Sequence, residues 1–241
     1  MDYLGHSGFL VETQTALLLF DYYKGPLKLA AERADQTGKP MYVFASHVHG
    51  DHFNPEIFSL EAEGRKITYV LAFDIRGNKK IPGKVAGEIH YLDADQTVEI
   101  AGLGTVETLK STDEGVAFFI TDTSGNVIYH AGDLHWWDWE GEDQEWLDGV
   151  EALYKQEIGR IAGRKIDLAF VVLDDRLEQN YAEGMTYFLQ QCEAEMVFPM
   201  HFWEDRTVIR QYLALPEIQK MTADKKMNII NTAEESHWEI G

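Results

Sequence analysis

Short apolar runs recur along the chain, rich in β-branched and aromatic residues and bounded by Gly, Pro, Asn, Asp and Ser, and each predicts a buried strand. Met1–Glu12 and Ala16–Phe20 predict a β-hairpin with Thr13-Gln14-Thr15 near its turn, the second run ending in Asp21. Further strands are predicted at Met41–Ala45, Lys66–Ala72, Ile89–Leu92, Thr97–Ile100, Val106–Leu109 and Val116–Ile120. Val127–Ala131, after the turn Ser124-Gly125-Asn126, Ile166–Leu173 and Met196–Phe198 complete the set. Leu27, Ala30, Ala31 and Ala34 have helical spacing within Pro26–Asp35, ahead of Gly38 and Pro40. Asn54-Pro55 is a capped helix start, with the helix running to about Ala62. Helices are also predicted over Asp143–Ala162, Gly184–Cys192 and Asp205–Leu213, the last preceding C-terminal strands.

Strands, a helix, strands again, then helix alternating with strand: this order fits two sheets packed face to face with helices outside. Pattern alone supports an α/β or α+β fold in one domain, residues 1–241. At 241 residues and 45% hydrophobic the chain can bury one large core, and no linker or repeat interrupts it.

Charge narrows the partners. A formal net charge of −20 disfavours nucleic acid and anionic membranes, which need clustered Lys and Arg. No apolar run approaches the roughly 20 residues of a membrane span. The single cysteine, Cys192, excludes an internal disulfide and reads as a buried thiol in a reducing compartment. With no basic, apolar signal segment at the start, a soluble cytoplasmic protein is expected, compatible with a homo-oligomer.

The chemistry concentrates directly after the Met41–Ala45 run, in Ser46-His47-Val48-His49-Gly50-Asp51-His52-Phe53. Neutral imidazole and carboxylate are the ligand set of zinc and similar divalent metals. His47 and His49, two apart, can share one ion, while Gly50 lets the chain turn and aim Asp51 and His52 at a second. Two ions about 3.5–4 Å apart are a common hydrolytic device.

This H-x-H-x-D-H string is the signature of the metallo-β-lactamase superfamily, which the chain resembles. The resemblance implies a four-layer αββα sandwich of two mixed β-sheets. It implies that Asp133, closing the Val127–Ala131 strand, bridges both metals and that His201, after Met196–Phe198, is the last histidine ligand. Asp21 matches an acid that supports the metal-binding loop in such proteins, with surface capping the plain alternative. The third histidine usual for the first metal is missing. The corresponding segment is Ser111-Thr112-Asp113-Glu114-Gly115, where Asp113 first, Glu114 second, or neither takes its place; a carboxylate there makes manganese or iron more plausible than at an all-imidazole site, and with neither the first site is weaker or vacant.

Other candidates read more plainly. His6 beside Gly and Ser is structural first and a substrate contact or ligand support second; His130 is core or supporting, and His135 packs among tryptophans or else reaches the cleft. Trp136, Trp137 and Trp139 form an apolar wall able to grip a substrate ring or acyl chain. His90 and His237 carry no signal.

The expectation is a metal-dependent hydrolase with a dinuclear site holding two divalent ions, zinc first and manganese or iron as alternatives. Its metal-bound hydroxide would cleave an ester, lactone or phosphodiester bond of a small molecule, with Asp51 binding the second metal and orienting the nucleophile or moving a proton. The branch it resembles includes ascorbate-6-phosphate lactonase. Acidity and the lack of an RNA-gripping arm disfavour ribonuclease Z, and the lack of an export signal disfavours true β-lactamases. The rival of another class is a di-iron redox protein handling oxygen or nitric oxide, kept open by Asp113-Glu114. A degenerate structural member is disfavoured by the intact histidine string.

Overall fold

Alternation along the strands gives each sheet one face toward its partner sheet and one toward helices. The computed structural model describes residues 1–61 and 64–239. The first sheet runs β1 (Asp2–Gly5), β2 (Gly8–Glu12), β3 (Leu17–Phe20), β4 (Met41–Ala45), β5 (Ile67–Ala72) and β6 (Glu88–Leu92) in that spatial order. It is antiparallel from β1 to β3 and parallel from β3 to β6. The second holds β7 (Thr97–Ile100), β8 (Gly104–Lys110), β9 (Val116–Asp122), β10 (Val127–His130), β11 (Lys165–Val172), β12 (Glu193–Met200) and β13 (Asn228–Ile229). It is antiparallel from β7 to β10 and parallel from β10 to β13. The helices are α1 (Leu27–Thr37), α2 (Gln144–Ile161), α3 (Glu183–Gln191), α4 (Thr207–Leu213) and α5 (Pro216–Lys225).

The core lies between the sheets. Phe20 and Phe44, register partners on β3 and β4, reach across it, Phe20 stacking on His130 at 5.0 Å and Phe44 meeting Phe118 at 5.1 Å. Phe9 meets Phe170 at 4.3 Å. Each fully buried Phe of this kind contributes about 1.5–3 kcal/mol. On the opposite faces Tyr69 of β5 packs on Phe58, and Tyr129 of β10 stacks on Phe188 of α3. The result is the four-layer sandwich of two mixed sheets with helices outside.

Several expectations need correction. The Asn54-Pro55 start does cap, Asn54 Oδ1 accepting the Glu56 N–H, but a 3-10 helix over Pro55–Leu60 follows, not an α-helix; Ala62 lies outside the described residues. The first hairpin is two, because Gly5-His6-Ser7-Gly8 turns β1 into β2 before Thr13–Thr15 turns β2 into β3. After Leu213 comes α5, begun by Pro216, and among the described residues the short β13 is the one strand beyond it. Among the described residues, no helix is long and apolar enough to cross a membrane.

Strand direction positions the site. In the first sheet β1, β3 and β4 run the same way; in the second, so do β8, β10, β11 and β12. His6, Asp21, the His47–His52 loop, Asp113, Asp133, Asp174 and His201 each follow the carboxyl end of one of these seven strands. A crevice outside the carboxyl ends of strands is the usual ligand position in α/β sheets.

Candidate metal centre

The His47–His52 segment leaves β4 and is fixed from behind. Ser46 donates its backbone N–H to Asp21 Oδ1 at 2.8 Å and its hydroxyl to Oδ2 at 2.6 Å. The hydroxyl oxygen then accepts from His47 Nδ1 at 3.0 Å, which leaves His47 Nε2 as a lone pair facing outward. Gly50 does not turn the loop by left-handed backbone; instead the N–H groups of His52 and Phe53 both bond His49 O, at 3.1 and 2.8 Å. One helical turn therefore separates His47 and His49 from Asp51 and His52.

Two glycines let the second sheet close on this loop. A Cβ at Gly115 would come 2.0 Å from Ser46 O, and one at Gly132 would come 2.6 Å from Ser46 Cβ. Both glycines have positive φ. The Val116 N–H bonds Ser46 O at 2.9 Å, locking the Asp113 loop against the histidine loop.

Two groups of ligand-type atoms result, each with all its atoms within 4.8 Å of one another: His47, His49, Asp113 and Asp133 in one, His6, Asp51, His52 and His201 in the other. Asp133 stands between them. Its Oδ1 lies 3.1 Å from His52 Nε2 and 3.3 Å from His201 Nε2, and its Oδ2 lies 3.7 Å from His47 Nε2. In the first group His47 Nε2 and His49 Nδ1 are 3.0 Å apart, and Asp113 Oδ2 is 3.7 Å from His49 Nδ1. In the second, Asp51 Oδ2 lies 3.2 Å from His6 Nε2 and 3.9 Å from His52 Nε2.

The donor set fits a cation. His6 Nε2, His52 Nε2, His201 Nε2 and Asp133 Oδ1 are buried, converge, and have no hydrogen-bond partner. Four unsatisfied polar atoms in one buried spot would cost several kcal/mol, on the order of 1–3 each, without something to bind. Carboxylates behind the ring fix the nitrogens that face inward. His52 Nδ1 donates to Asp21 Oδ2 at 2.7 Å, and His201 Nδ1 donates to Asp174 Oδ2 at 2.8 Å. His6, Asp21 and His201 also hold positive φ, at 53°, 37° and 68°. Such backbone costs a non-glycine residue about 1–3 kcal/mol, and it clusters where function demands a fixed side chain.

Electrostatics in the ion-free protein follow the same pairing. Burial lowers His47 and His6, each to about 4. Burial also opposes charge on His201, but Asp133 and Asp174 outweigh it and push the imidazole up to about 9. His52 is likewise raised against its burial by Asp133 and Asp21. Burial opposes charge on Asp133 too, yet His52 and His201 hold it well below the usual carboxylate range. The carboxylates around His52 and His201 thus favour positive charge at this spot.

Every residue singled out for the centre in the histidine string, together with Asp113, Asp133 and His201, is drawn into this cluster. Asp113, not Glu114, joins the first group. His6, read as structural first, lies in the second group, its Nε2 3.2 Å from Asp51 Oδ2. Its signal was present in Gly5-His6-Ser7-Gly8, a glycine-flanked turn between two apolar runs, but nothing local says which way that turn faces. Asp21 is fully buried and supports His52, so it caps no surface. His130 is buried, with Nε2 2.9 Å from Ser7 O. His135 is buried against Trp137 and Tyr154. Cys192 is buried, its thiol pushed up by burial to about 12. Asp174, missed from sequence, ends an apolar run as Asp21 and Asp133 do.

A cleft of about 260 Å³ opens over the cluster, with Trp137 and Trp139 on its lining. Trp136 is turned away toward Tyr187 and the Lys155 ammonium. Trp146, Trp203 and Arg176 line the cleft unanticipated.

Comparison with known proteins agrees with this geometry. Residues 1–201 match the family model described as Beta-lactamase superfamily domain. A protein of Heliobacterium modesticaldum named UPF0173 metal-dependent hydrolase is 24% identical over 242 residues, covering 95% of this chain and 92% of that one. The metallo-β-lactamase fold protein YhfI from Bacillus subtilis superposes with a TM-score of 0.62 at 16% identity, over 94% of this chain and 88% of that one. CmlA, a diiron β-hydroxylase from Streptomyces venezuelae, superposes with a TM-score of 0.59 at 12% identity, over 95% of this chain and 51% of that one.

Proposed function

Because the chain belongs to the β-lactamase superfamily, we propose that it is a metal-dependent hydrolase cleaving an ester, lactone or phosphodiester bond of a small molecule at a dinuclear site. The observation that carries this reading is the Asp133 carboxylate, one oxygen facing His52 and His201 and the other facing His47. His47, His49, Asp113 and Asp133 would hold one ion, and His6, Asp51, His52 and His201 the other, with Asp133 shared. A shared anion offsets the repulsion between two nearby dications. Imidazole and carboxylate suit zinc, while Asp113 in place of a histidine keeps manganese and iron in play. When bound, such ions polarise a carbonyl or phosphoryl oxygen and bring the pKa of water toward about 7.

The chain's own groups do the rest. Asp51 lines the cleft and leans on His6, in position to orient the attacking water and carry its proton to the leaving group. Asp21 and Asp174 keep His52 and His201 in the tautomer that turns Nε2 inward. Trp137 and Trp139 present flat apolar surface to the substrate body. The name of the Heliobacterium modesticaldum relative, a metal-dependent hydrolase, supports the same reading.

Plasma-emission analysis of the purified protein, followed by a panel of lactone, phosphodiester and thioester substrates, tests it. About two zinc or manganese ions per chain and one hydrolysed class are expected, with His49→Ala abolishing the activity. Activity unchanged in His49→Ala would sink the assignment. Asp113 beside His49 also favours a second reading, a di-iron redox site. Two iron ions with visible absorbance and no hydrolysis would select it.

A further inference from the structure

Among the described residues that line the cleft, Arg176 alone carries a permanent positive charge. Its position is defined on three sides. The guanidinium carbon stands 4.9 Å from the Trp203 ring and 5.5 Å from the Trp139 ring. Nε donates to both oxygens of Asp174, at 2.9 and 3.0 Å, and Nη2 donates to Oδ2 at 2.5 Å. A guanidinium carries five N–H donors in a rigid fork, and this contact uses one edge of it. The Nη1 edge has no protein partner among the described residues, and the side chain is 45% exposed.

Arg176 is pinned in the cleft wall with donors left open, in a chain of net charge −20. Apart from Thr112 and the residues of the candidate metal centre, the remaining wall is aromatic, and Trp146 and Trp203 are 43% and 38% exposed. A planar cationic fork beside flat apolar surface recognises a carboxylate attached to a ring or flat acyl body, since the fork matches a carboxylate bidentately.

We propose that Arg176 is the substrate-recognition residue of this cleft, and that the substrate class is a small aromatic or acyl compound bearing a carboxylate remote from the bond cleaved. The proposal deepens the hydrolase reading and rests on it for the word substrate; the binding site itself does not depend on turnover.

Isothermal calorimetry on the metal-loaded protein tests it with three probes: 3-phenylpropionate, its neutral amide, and phenyl phosphate. The carboxylate should bind at least about tenfold more tightly than the amide, and Arg176→Gln, compared at equal metal occupancy, should remove most of that preference while leaving amide affinity unchanged. Arg176→Lys retains a charge near Asp174 but loses the fork, so it should retain metal and lose part of the preference. Equal binding of carboxylate and amide by the wild type would overturn the proposal. So would equal weakening of both probes in Arg176→Gln and Arg176→Lys, because that is the signature of a residue that only props Asp174 and His201. Tighter binding of phenyl phosphate than of the carboxylate would overturn the choice of anion. Selective carboxylate binding without hydrolysis of any substrate would defeat the hydrolase reading and leave the anion site standing.

Discussion

The Oδ2 atom of Asp21 lies 2.7 Å from Nδ1 of His52, and both side chains are fully buried. Asp21 therefore acts on the centre without facing it: it fixes the proton on Nδ1 and leaves Nε2 to turn toward Asp133. Asp21→Asn preserves shape but removes the charge that holds this tautomer. Metal affinity should fall roughly 10–100-fold. Metal titration by calorimetry, with circular dichroism to verify folding, measures it; unchanged affinity would assign Asp21 a purely structural part.

Asp113 and Glu114 are adjacent, yet only Asp113 joins the first group. Asp113→Ala should lower metal content by about one ion per chain, whereas Glu114→Ala should leave it unchanged. Asp113→His should restore it, imidazole being a ligand of the same reach for zinc. Equal loss in both alanine variants would show that the loop, and not one carboxylate, matters.

His6 offers a separate check on the second group. His6→Ala removes one of its four ligand-type side chains and should weaken the second ion selectively. Plasma-emission analysis after dialysis against dilute chelator should then find nearer one ion than two. Full retention would return His6 to a packing role.

The pH dependence has a defined sign. In the ion-free protein Asp133 and Asp174 raise His201 to about 9 against its burial. A folded pKa above the unfolded value of about 6.5 contributes stability that is fully present below pH 6.5 and is lost as pH rises through 9. Urea melts of chelated protein should show that loss between about pH 7 and 9. An ion at His201 Nε2 must displace the same proton, so metal affinity should rise over that window while proton release on binding declines. Calorimetry in buffers of different ionisation heat reads the proton count; a release that does not change with pH would contradict the pairing.

Gly115 and Gly125 both have positive φ, but only Gly115 meets a backbone oxygen, Ser46 O at 2.0 Å from a built Cβ; Gly125 meets nothing within 4 Å. Gly125→Ala should cost about 1 kcal/mol from backbone strain, and Gly115→Ala on the order of 2–3 kcal/mol or more, together with displacement of Asp113. Urea denaturation of the two variants separates close approach from strain.

Much of this was legible along the chain because its signals are local. The buried strands announce themselves as apolar runs, and nearly all of those runs became strands of the two sheets. The H-x-H-x-D-H string divides as its spacing suggests, His47 and His49 to one group, Asp51 and His52 to the other. Where reading failed, the deciding contact lay elsewhere in the chain. Pro55–Leu60 has a capped helix start, yet it closes as a 3-10 helix. The place of His6 was not legible because its neighbours there, Asp51 and His201, are 45 and 195 positions away.

From the residues alone came the strand runs, the histidine loop and the acids that follow β3 and β10, because hydrophobic periodicity and ligand spacing are properties of neighbouring positions. Tertiary structure alone decided that seven strand ends share one rim, that Asp113 rather than Glu114 faces His49, and that Arg176 stands between two tryptophans in the cleft wall. Those outcomes depend on strand direction, sheet packing and the approach of Gly115 and Gly132 to Ser46, and such long-range geometry leaves no mark on any single stretch of chain.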